Sequence, residues 1–480
     1  APPAGILPNV TGKGRAVINA NAGVATSGGS AVQATLAGGG SGSITVNQGV
    51  ASLINATNGH GISTNSGTST GATTITVAGE VKAGGAGNAG IRGVSTTGAI
   101  SVIVAASGKV DPDFGIALST VSGALNVNNA GLVTGTVAGV QLGATGVGTA
   151  TVSNTGTITG PIAVIGSLNG GTFTINNSGT LNGAVNVSGS NVATSFLNNA
   201  AGATANFGSV ASTFSGNFNN QGIANIAAGG TVGFAGTTTN ANRINFAGAG
   251  TFTTTGAMTN AGIINAQNNL TGNVVNVGGA YTGGGQFFAD YSTTTVTADR
   301  LNISGSVSGT TNVTMNLVGA RTLVPGGFLP VVVVAPGAAA NAFTSNPMFP
   351  TSGFILDSFG QNPANNTQFG LLQQVNPAAL PLGNLSFMAE SASAPLDEPI
   401  LPYITRRTDV GGTRFSLWMR GTSGHTRQLI STSITGSGIS LSSSGEVRTV
   451  HQAIQGGADL GISLGGAWIL HVGVTGGIYD

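Results

Sequence analysis

Side chains that can act as acids, bases or nucleophiles are few in this sequence, and their placement is uneven. Of 480 residues only 6% are charged, four are histidine and none is cysteine. The lack of thiols excludes a disulfide scaffold, a thiolate metal site and a cysteine nucleophile. From Phe114 to Ala289 there is no Asp, Glu or His, and Arg243 is the one charged residue. Acid–base catalysis by these groups is therefore excluded for that stretch.

One cluster upstream of Phe114 has side chains suited to hydrolysis. It comprises Glu80, Lys82, Arg92, Lys109, Asp111 and Asp113. Glycoside hydrolysis usually needs two carboxylates that flank the scissile bond, and the Asp-Pro-Asp segment 111–113 could instead bind calcium. The competing interpretation is a solvated turn, because Asp and Pro are typical turn residues. We favour the turn and predict no catalytic residue, no metal and no cofactor.

The other potential sites are isolated. His60 is the only histidine before residue 290, so a Ser-His-Asp triad has few possible members. The remaining histidines are too scattered to predict a metal site; they are His425, His451 and His471. A GxGxxG pattern at 85–90 is not followed by a helix-forming pattern and does not predict a nucleotide site. A net charge of +1, with Arg406-Arg407 as the only basic pair, predicts no nucleic-acid binding.

The composition predicts an all-β protein. Glycine accounts for 82 residues, 40% of residues are hydrophobic, and the mean hydropathy is +0.29. Such hydrophobicity is unlike that of a disordered chain. Helix-forming Glu, Lys and Arg are rare, whereas Val, Ile, Thr, Asn and Gly dominate. The longest apolar stretch, 323–340, contains three prolines, so we expect one buried strand at 331–335 and no membrane helix.

A pattern repeated five times predicts the architecture. It consists of an apolar residue, Asn two positions later, Gly two further, and a small or apolar residue two beyond that. The copies are Val127, Asn129, Gly131, Val133; Val152, Asn154, Gly156, Ile158; Ile175, Asn177, Gly179, Leu181; Phe218, Asn220, Gly222, Ala224; and Met258, Asn260, Gly262, Ile264. The asparagines are 25, 23, 43 and 40 residues apart, so the repeat has about 20 to 25 residues and each long gap holds two repeats. This period, with alternation inside it, favours a parallel β-solenoid, which we expect to be a right-handed β-helix.

Each member of the repeat then has a predicted structural role. Asn side chains stacked from coil to coil can form a hydrogen-bonded ladder, and Asn tolerates the left-handed backbone of a tight turn. The following Gly would supply a positive φ. The alternative is that Asn-x-Gly only reflects Gly- and Asn-rich low complexity, which the shared apolar positions argue against.

A DxLxIxGxVxGT pattern begins at Asp299. Its further members are Leu301, Ile303, Gly305, Val307, Gly309 and Thr310. The surrounding segment 283–319, followed by the apolar run 331–334, resembles the C-terminal end of the passenger of bacterial autotransporters, just before their membrane anchor. The resemblance implies a cap that shields the last coil of the solenoid.

Two later segments resemble the anchor of the same family. Within 414–427, Leu417, Trp418, Arg420 and Gly421 resemble the first strand of the autotransporter outer-membrane β-barrel, and 455–480 resembles the following hairpin. Independently, the alternation at 468–474 is typical of a strand with one side facing lipid. The alternative is an amphipathic strand of a soluble sandwich.

Four regions follow from these boundaries and from the distribution of charge and proline. They are a β-solenoid passenger at 1–282, a cap or autochaperone-like region at 283–384, a linker at 385–412 and the first antiparallel barrel strands at 413–480. The last region has room for four or so strands, against about twelve in the family, so the barrel is incomplete. We favour a chain that stops inside its barrel over a barrel shared by several chains, and a secretory signal already removed before Ala1.

The resemblance implies export to the cell surface and an anchor in the bacterial outer membrane, with membrane lipid and the barrel-assembly machinery as partners. The neutral exterior rich in Thr, Ser and Asn predicts a structural or adhesive role in surface adhesion, self-association or coat formation, in which the partner is another copy or the surface of a host or neighbouring cell. One alternative is a carbohydrate-active β-helix enzyme, a lyase or hydrolase, that uses Asp111 or Asp113. A second is a secreted repeat protein with no membrane anchor.

Overall fold

Three parallel β-ladders form a solenoid in the larger part of the chain. The computed structural model describes residues 5–7, 9–11, 13–345, 355–376, 414–436, 439–464 and 468–479. Successive strands alternate between three ladders, which we call faces A, B and C in the order in which the chain visits them. The prediction of an all-β parallel solenoid is confirmed. The handedness of the coil stays a prediction.

Face B is a single sheet of thirteen strands among the described residues. Its strands are Arg15–Ala20, Ser43–Gln48, Thr73–Val77, Ile100–Val104, Ala124–Asn129, Thr149–Asn154, Thr172–Asn177, Phe196–Asn199, Asn217–Asn220, Thr238–Asn240, Met258–Asn260, Tyr281–Thr282 and Val307–Ser308. They pair in register, so that Val127, Val152 and Ile175 form one inward row. Equivalent residues of successive coils therefore lie directly above one another.

Faces A and C complete each coil. Face A comprises Asn9–Thr11, Val32–Ala37, Ile62–Asn65, Ala89–Val94, Phe114–Thr120, Ala138–Ala144, Ser212–Phe214, Thr231–Phe234, Thr251–Thr254, Val274–Val277, Arg300–Ile303 and Phe328–Val334. Face C comprises Val24–Thr26, Leu53–Ala56, Glu80–Ala83, Lys109–Asp111, Leu132–Thr134, Thr204–Phe207, Ile223–Ile226, Arg243–Phe246, Ile263–Asn265, Gln286–Ser292, Thr311–Leu317 and Phe343–Thr344. Two long strands, Thr157–Ser167 and Thr180–Ser188, cross the corner from face C to face A and belong to both.

Coil length falls along most of the solenoid. Ile44 pairs with Thr73, Leu125 with Ala150 and Thr238 with Met258, which are separations of 29, 25 and 20 residues. The distance between stacked strands stays near 4.8 Å because backbone hydrogen bonds set it. The extra residues of the early coils therefore lengthen the strands and corners. Because their length differs from that of the later coils, the early coils do not show the repeat period of about 20 to 25 residues in the sequence.

The interior is apolar and contains a stack of aromatic rings. Phe218 and Phe234 are parallel with ring centroids 4.5 Å apart, and Phe207 and Phe252 contact Phe218 at centroid distances of 6.3 and 6.4 Å. All four side chains are buried. Because these residues come from successive coils, each coil completes the core of its neighbour.

The ladders continue past residue 282 with local irregularities. Gln286–Ser292 also pairs antiparallel with Thr297–Ala298, and a short 3-10 turn at Pro325–Gly327 precedes the face A strand Phe328–Val334. The strand expected at 331–335 corresponds to this element, which begins three residues earlier and ends at Val334. Asn365–Val375, which follows the strand Ile355–Asn362, pairs antiparallel with Phe328–Val334 and ends the parallel ladder. Covering the last strand in this way protects an edge that would otherwise be open to pairing.

A separate antiparallel sheet lies at the C-terminal end of the described chain. It consists of Arg414–Gly436, Ile439–Ser463 and Ile469–Tyr479. Contacts divide the chain into two compact units, and this sheet belongs to the second. The expected antiparallel strands are thus present, whereas the linker at 385–412 lies outside the described residues. The proposed domain boundaries stay predictions.

Candidate functional surfaces

A buried ladder of asparagines runs inside the solenoid where face B meets face C. Asn129 Nδ2 donates to Asn154 Oδ1 at 2.8 Å, and the same contact joins each later asparagine to the next. The series continues through Asn154, Asn177, Asn199, Asn220, Asn240 and Asn260, with 2.8 Å at every step. At its end Asn260 donates to the Tyr281 hydroxyl at 3.4 Å, which lies 3.0 Å from the Thr311 hydroxyl.

The second hydrogen of each side-chain amide is donated to a backbone carbonyl. Asn154 Nδ2 also donates to the carbonyl of Thr180 at 3.0 Å, and Asn177 Nδ2 to that of Thr204 at 3.1 Å. These carbonyls belong to face C strands of the next coil. Both amide hydrogens therefore point in the same direction along the axis, and the buried amide is fully used.

Two ladder members, Asn199 and Asn240, fall in the long gaps of the sequence repeat. Asn199 is followed two residues later by Ala201, and Asn240 by Asn242, so neither matches Asn-x-Gly. An apolar or Thr residue two positions earlier, with the repeat length, is the signal that locates them. The structure brings all five asparagines of the pattern and these two into one row.

The backbone reasons given for Asn and Gly are wrong. Asn129 and its equivalents end regular strands, and none of the glycines at 131, 156, 179, 222 and 262 has a positive φ. The cause of the glycine requirement is instead the close approach of the preceding coil. A Cβ on Gly156 would lie 2.1 Å from the carbonyl oxygen of Gly131, and one on Gly222 would lie 2.3 Å from that of Ala203.

A second asparagine ladder lies on the outer side of face C. Asn206 Nδ2 donates to Asn182 Oδ1 at 2.7 Å, and Asn225 to Asn206 at 2.7 Å. Asn245 and Asn265 continue it at 2.9 and 3.4 Å. Here each amide donates to the preceding coil, opposite to the buried ladder. Sequence reasoning did not identify this row.

The charged cluster is arranged as a lattice of opposite charges on face C. Lys109 lies beside Glu80 and Asp111 beside Lys82 in register, and Lys82 Nζ is 3.4 Å from Glu80 Oε1. Asp111 Oδ1 accepts a hydrogen bond from the Thr134 hydroxyl at 2.7 Å. This is the geometry of a solvated face rather than of two carboxylates opposed across a cleft.

Asp113 holds a corner of the coil. Its carboxylate accepts hydrogen bonds from the Thr136 hydroxyl at 2.7 Å and the Gly87 amide at 3.0 Å. These bonds, with Thr136 the larger cause, lower the pKa of Asp113. Its role in the turn matches the expectation from the Asp-Pro-Asp sequence.

His60 is the half-buried histidine of the solenoid. Its Nδ1 accepts a hydrogen bond from the Ala89 amide at 2.9 Å. Burial, and then the positive charge of Arg92, lower its pKa, so the imidazole is neutral near pH 7. In the described residues no group of three or more His, Asp or Glu side chains could hold a metal ion.

A buried pair of carboxylates, Asp290 and Asp299, holds the corner loop before Val274–Val277. Asp299 Oδ1 accepts from the amides of Gly272 and Asn273 at 3.0 and 2.9 Å, and its Oδ2 accepts from the Asp290 amide at 2.7 Å. Asp290 Oδ2 accepts from the Asn268 amide at 2.7 Å. Burial raises the pKa of Asp299 to about 6 despite these donors.

A shallow groove crosses the outer side of face A, with a volume of about 310 Å³. Ala117, Gln141 and Ile165 line one row of it, and Ser119, Gly143 and Ser167 the next. It lacks carboxylates and histidines, so its walls offer hydrogen bonds and apolar contact but no acid–base pair.

The C-terminal sheet separates apolar from polar side chains. Leu417 and Met419 are exposed on one side, which also carries Val472 and Val474 of the third strand, with the second strand between them. On the other side Trp418 packs on Gly457, where a Cβ would be 2.7 Å from the indole, and Arg420 Nε donates to Gln455 Oε1 at 2.6 Å. Gly421, the last residue of the predicted motif, follows on the first strand and pairs with Ile454. In the described part of the chain no helix has the length and hydrophobicity needed to cross a membrane.

No protein-family model and no curated protein sequence matches this chain. Among solved structures, one that is similar is the Hap adhesin of Haemophilus influenzae, with a TM-score of 0.34 and 12% sequence identity; the match covers 77% of this chain and 48% of that one. This chain therefore spans about half the length of that structure. The parallel solenoid is the architecture that the resemblance of 283–319 to autotransporter passengers implies.

Proposed function

We propose that this chain is a surface-exposed autotransporter passenger with a structural or adhesive, non-catalytic role, carried by an outer-membrane anchor that begins in its C-terminal sheet. The observation that supports it best is a long stacked solenoid whose exterior offers amides and hydroxyls in register and almost no charge. Such a surface binds through many weak polar contacts whose sum is large.

The carboxylates support a non-catalytic role. Asp111 and Asp113 each accept a hydrogen bond from a threonine, and Asp290 and Asp299 are buried acceptors for backbone amides. None is paired with a second carboxylate across an open groove. A carbohydrate-active enzyme would need such a pair or an equivalent acid and base.

The C-terminal sheet supports the anchor. Apolar side chains alternate with polar ones along its strands, and those on the apolar side are largely exposed, with Leu417 at 70% and Val474 at 79%. Exposed apolar residues in this density are costly in water and are favoured against lipid. The resemblance of 414–427 to a first barrel strand agrees with this arrangement.

Fractionation of bacteria that export the product of the complete reading frame tests location and anchor together, because we predict that residues 413–480 form only part of the barrel. We expect the chain in the outer-membrane fraction, with the solenoid cleaved by protease added to intact cells. The double variant Leu417→Arg and Val474→Arg should leave the membrane, since each arginine costs about 2–4 kcal/mol on a lipid-facing side. Ser416→Arg, on the other side of the same strand, should remain. Recovery of the unmodified chain as soluble protein would contradict the anchor.

Polysaccharide digestion tests the absence of catalysis. Incubation of the full chain with a panel of acidic and neutral polysaccharides should release no reducing ends or unsaturated products. Activity that disappears in Asp111→Ala or Asp113→Ala, with Asp357→Ala as a control, would overturn the non-catalytic proposal.

A further inference from the structure

The three faces of the solenoid differ in charge. Face B and the corners on both sides of it contain no Asp, Glu, Lys, Arg or His from Ser43 to Ser308. The strands of face C carry Glu80, Lys82, Lys109 and Asp111 on their outer side, and face A carries Arg92. The low charge of the whole chain therefore does not explain the absence of charged residues from face B over this range, because faces A and C have charged residues.

One outward row covers the full length of face B. It runs in register through all thirteen strands from Asn19 to Ser308, and every position except Ile103 is Asn, Thr or Ser. Some members already bond to each other, as Asn198 does to Asn176 at 2.9 Å. Such a bond uses one of two amide hydrogens, so donors and acceptors remain free along the row.

Exposed valines follow the edge of this face. Val121, Val147 and Val192 lie in the corners that lead into the strands Ala124–Asn129, Thr149–Asn154 and Phe196–Asn199, and are 45%, 74% and 39% exposed. They are apolar contacts beside a polar, uncharged sheet. An interface commonly combines such apolar contacts with hydrogen bonds.

We propose that face B is a homotypic interface, which binds face B of a second copy of this chain. This assignment rests on the structural or adhesive role of the proposed function, takes self-association as its form, and names the surface responsible. The spacing of side chains along face B is about 4.8 Å per strand, and a second copy presents the same spacing, so many contacts can form in one register. Rows that hold both donors and acceptors complement themselves without opposed charges.

The area of face B is large enough for a stable interface between two copies. Thirteen strands at about 4.8 Å extend over about 60 Å, and strands of two to six residues are on average about 14 Å wide at 3.3 Å per residue. The face is therefore roughly 800 Å² per copy, the size of a standard specific interface. From Ser43 to Ser308 a charged ligand surface, such as an acidic glycan, would find no counter-charge; Arg15 on the first strand is the charged residue of face B.

Charge insertion on matched positions tests the assignment. Thr151 and Thr174 stack on the outer side of face B, and Thr157 and Thr180 stack on the outer side of face C in the same coils. Sedimentation equilibrium of the full chain in detergent should show self-association. The variant Thr151→Glu with Thr174→Glu should weaken it at least tenfold, whereas Thr157→Glu with Thr180→Glu should change it less than twofold.

Cysteine cross-linking gives an independent measurement, because the chain has no native cysteine. Oxidation of Thr151→Cys should yield covalent dimers, and Thr157→Cys should stay largely monomeric. Circular dichroism and urea midpoints of the charge variants serve as folding controls.

The possible results of these experiments test the assignment of face B and self-association separately. Loss of association only in the face C variant, or equal association in all variants, would overturn the assignment of face B while leaving the surface location intact. A full chain that stays monomeric at all concentrations would overturn self-association itself, whereas the membrane fractionation tests the anchor separately. Binding of a neutral polysaccharide that face B variants abolish, without dimers, would replace the second copy as occupant.

Discussion

At the scale of single residues, stability depends on how completely buried polar groups are paired. The amide of Asn177 accepts from Asn154 and donates to Asn199 and to the Thr204 carbonyl. Each ladder asparagine thus satisfies a backbone carbonyl and the side-chain amides of its two neighbours at the same time. A buried amide is stabilising only while all of these partners are present.

Removing one rung should therefore be costly. Asn177→Ala removes the acceptor of one Asn154 amide hydrogen and the side-chain donor to the Thr204 carbonyl, and we expect the free energy of unfolding to fall by about 2–4 kcal/mol. Asn128→Ala, on the exposed side of face B, should change it by less than about 0.5 kcal/mol. Urea denaturation of the full chain compares them; equal effects would refute a role for the ladder in stability.

Thr238 shows the opposite situation. It occupies an inward row with Phe218 and Met258, and its buried hydroxyl has no hydrogen-bond partner among the described residues. Thr238→Val should raise the free energy of unfolding by about 1 kcal/mol. Thr254→Val should lower it, because the Thr254 hydroxyl donates to the Gly236 carbonyl at 2.8 Å. Thermal denaturation of both variants gives the sign.

At the scale of elements, the corners between faces determine how closely coils stack. Glycine follows the ladder asparagine where the preceding coil leaves no space for a Cβ, and two carboxylates hold the long loop 266–273. Corners therefore specify the stacking, whereas the strands between them follow from hydrophobic alternation.

Gly156→Ala should strain one corner. Its Cβ would lie 2.1 Å from the Gly131 carbonyl, so the two coils must separate, and we expect a loss of about 2 kcal/mol or more. At Gly143 the nearest atom to an added Cβ is 3.9 Å away, and Gly143→Ala should be neutral or slightly stabilising. Hydrogen exchange of the flanking coils measures both; a harmless Gly156→Ala would contradict the close-approach explanation.

The Asp299 corner should make stability depend on pH. The pKa of this carboxyl is about 6 in the folded chain against 3.8 for a solvated aspartate, so the folded state binds more protons between these values. Its contribution to stability is complete below pH 4 and is lost as the pH rises to about 6. Asp299→Asn should remove that part of the slope in urea midpoints measured from pH 4 to 7, and Asp357→Asn should retain it. A slope of opposite sign would contradict the burial effect.

At the scale of the whole molecule, low charge governs behaviour in solution. The net charge is +1, and coils are held together by apolar contacts and hydrogen bonds rather than by ion pairs. A nearly neutral solenoid lacks the electrostatic repulsion that keeps many proteins apart. Long-range attraction by charge is equally absent.

Salt should therefore affect this molecule little. Raising NaCl from about 0.05 to 0.5 M screens exposed ion pairs, and we expect the urea midpoint and the association constant to stay nearly constant. Sulfate should strengthen both, because excluded salts favour burial of surface. A large loss of association in NaCl would show that charged groups, which face B lacks from Ser43 to Ser308, form the contact.

The sequence alone determined the repeat, the all-β class and five of the seven asparagine positions of the inward row, because stacking coils must place like residues above like. It also placed Asp113 correctly in a turn, whereas Asp111, predicted to lie in the same turn, ends a regular strand of face C. Only the tertiary structure decided the rest. The distance between coils, not backbone dihedral preference, requires the glycines, and the outer Asn182–Asn265 ladder and the charge-free face become visible only when the register assigns each residue to a side. The length of a coil varies from 29 to 20 residues, so equivalent positions of successive coils are not a fixed number of residues apart and the register cannot be predicted from the sequence. Only the distance between hydrogen-bonded strands stays constant from coil to coil.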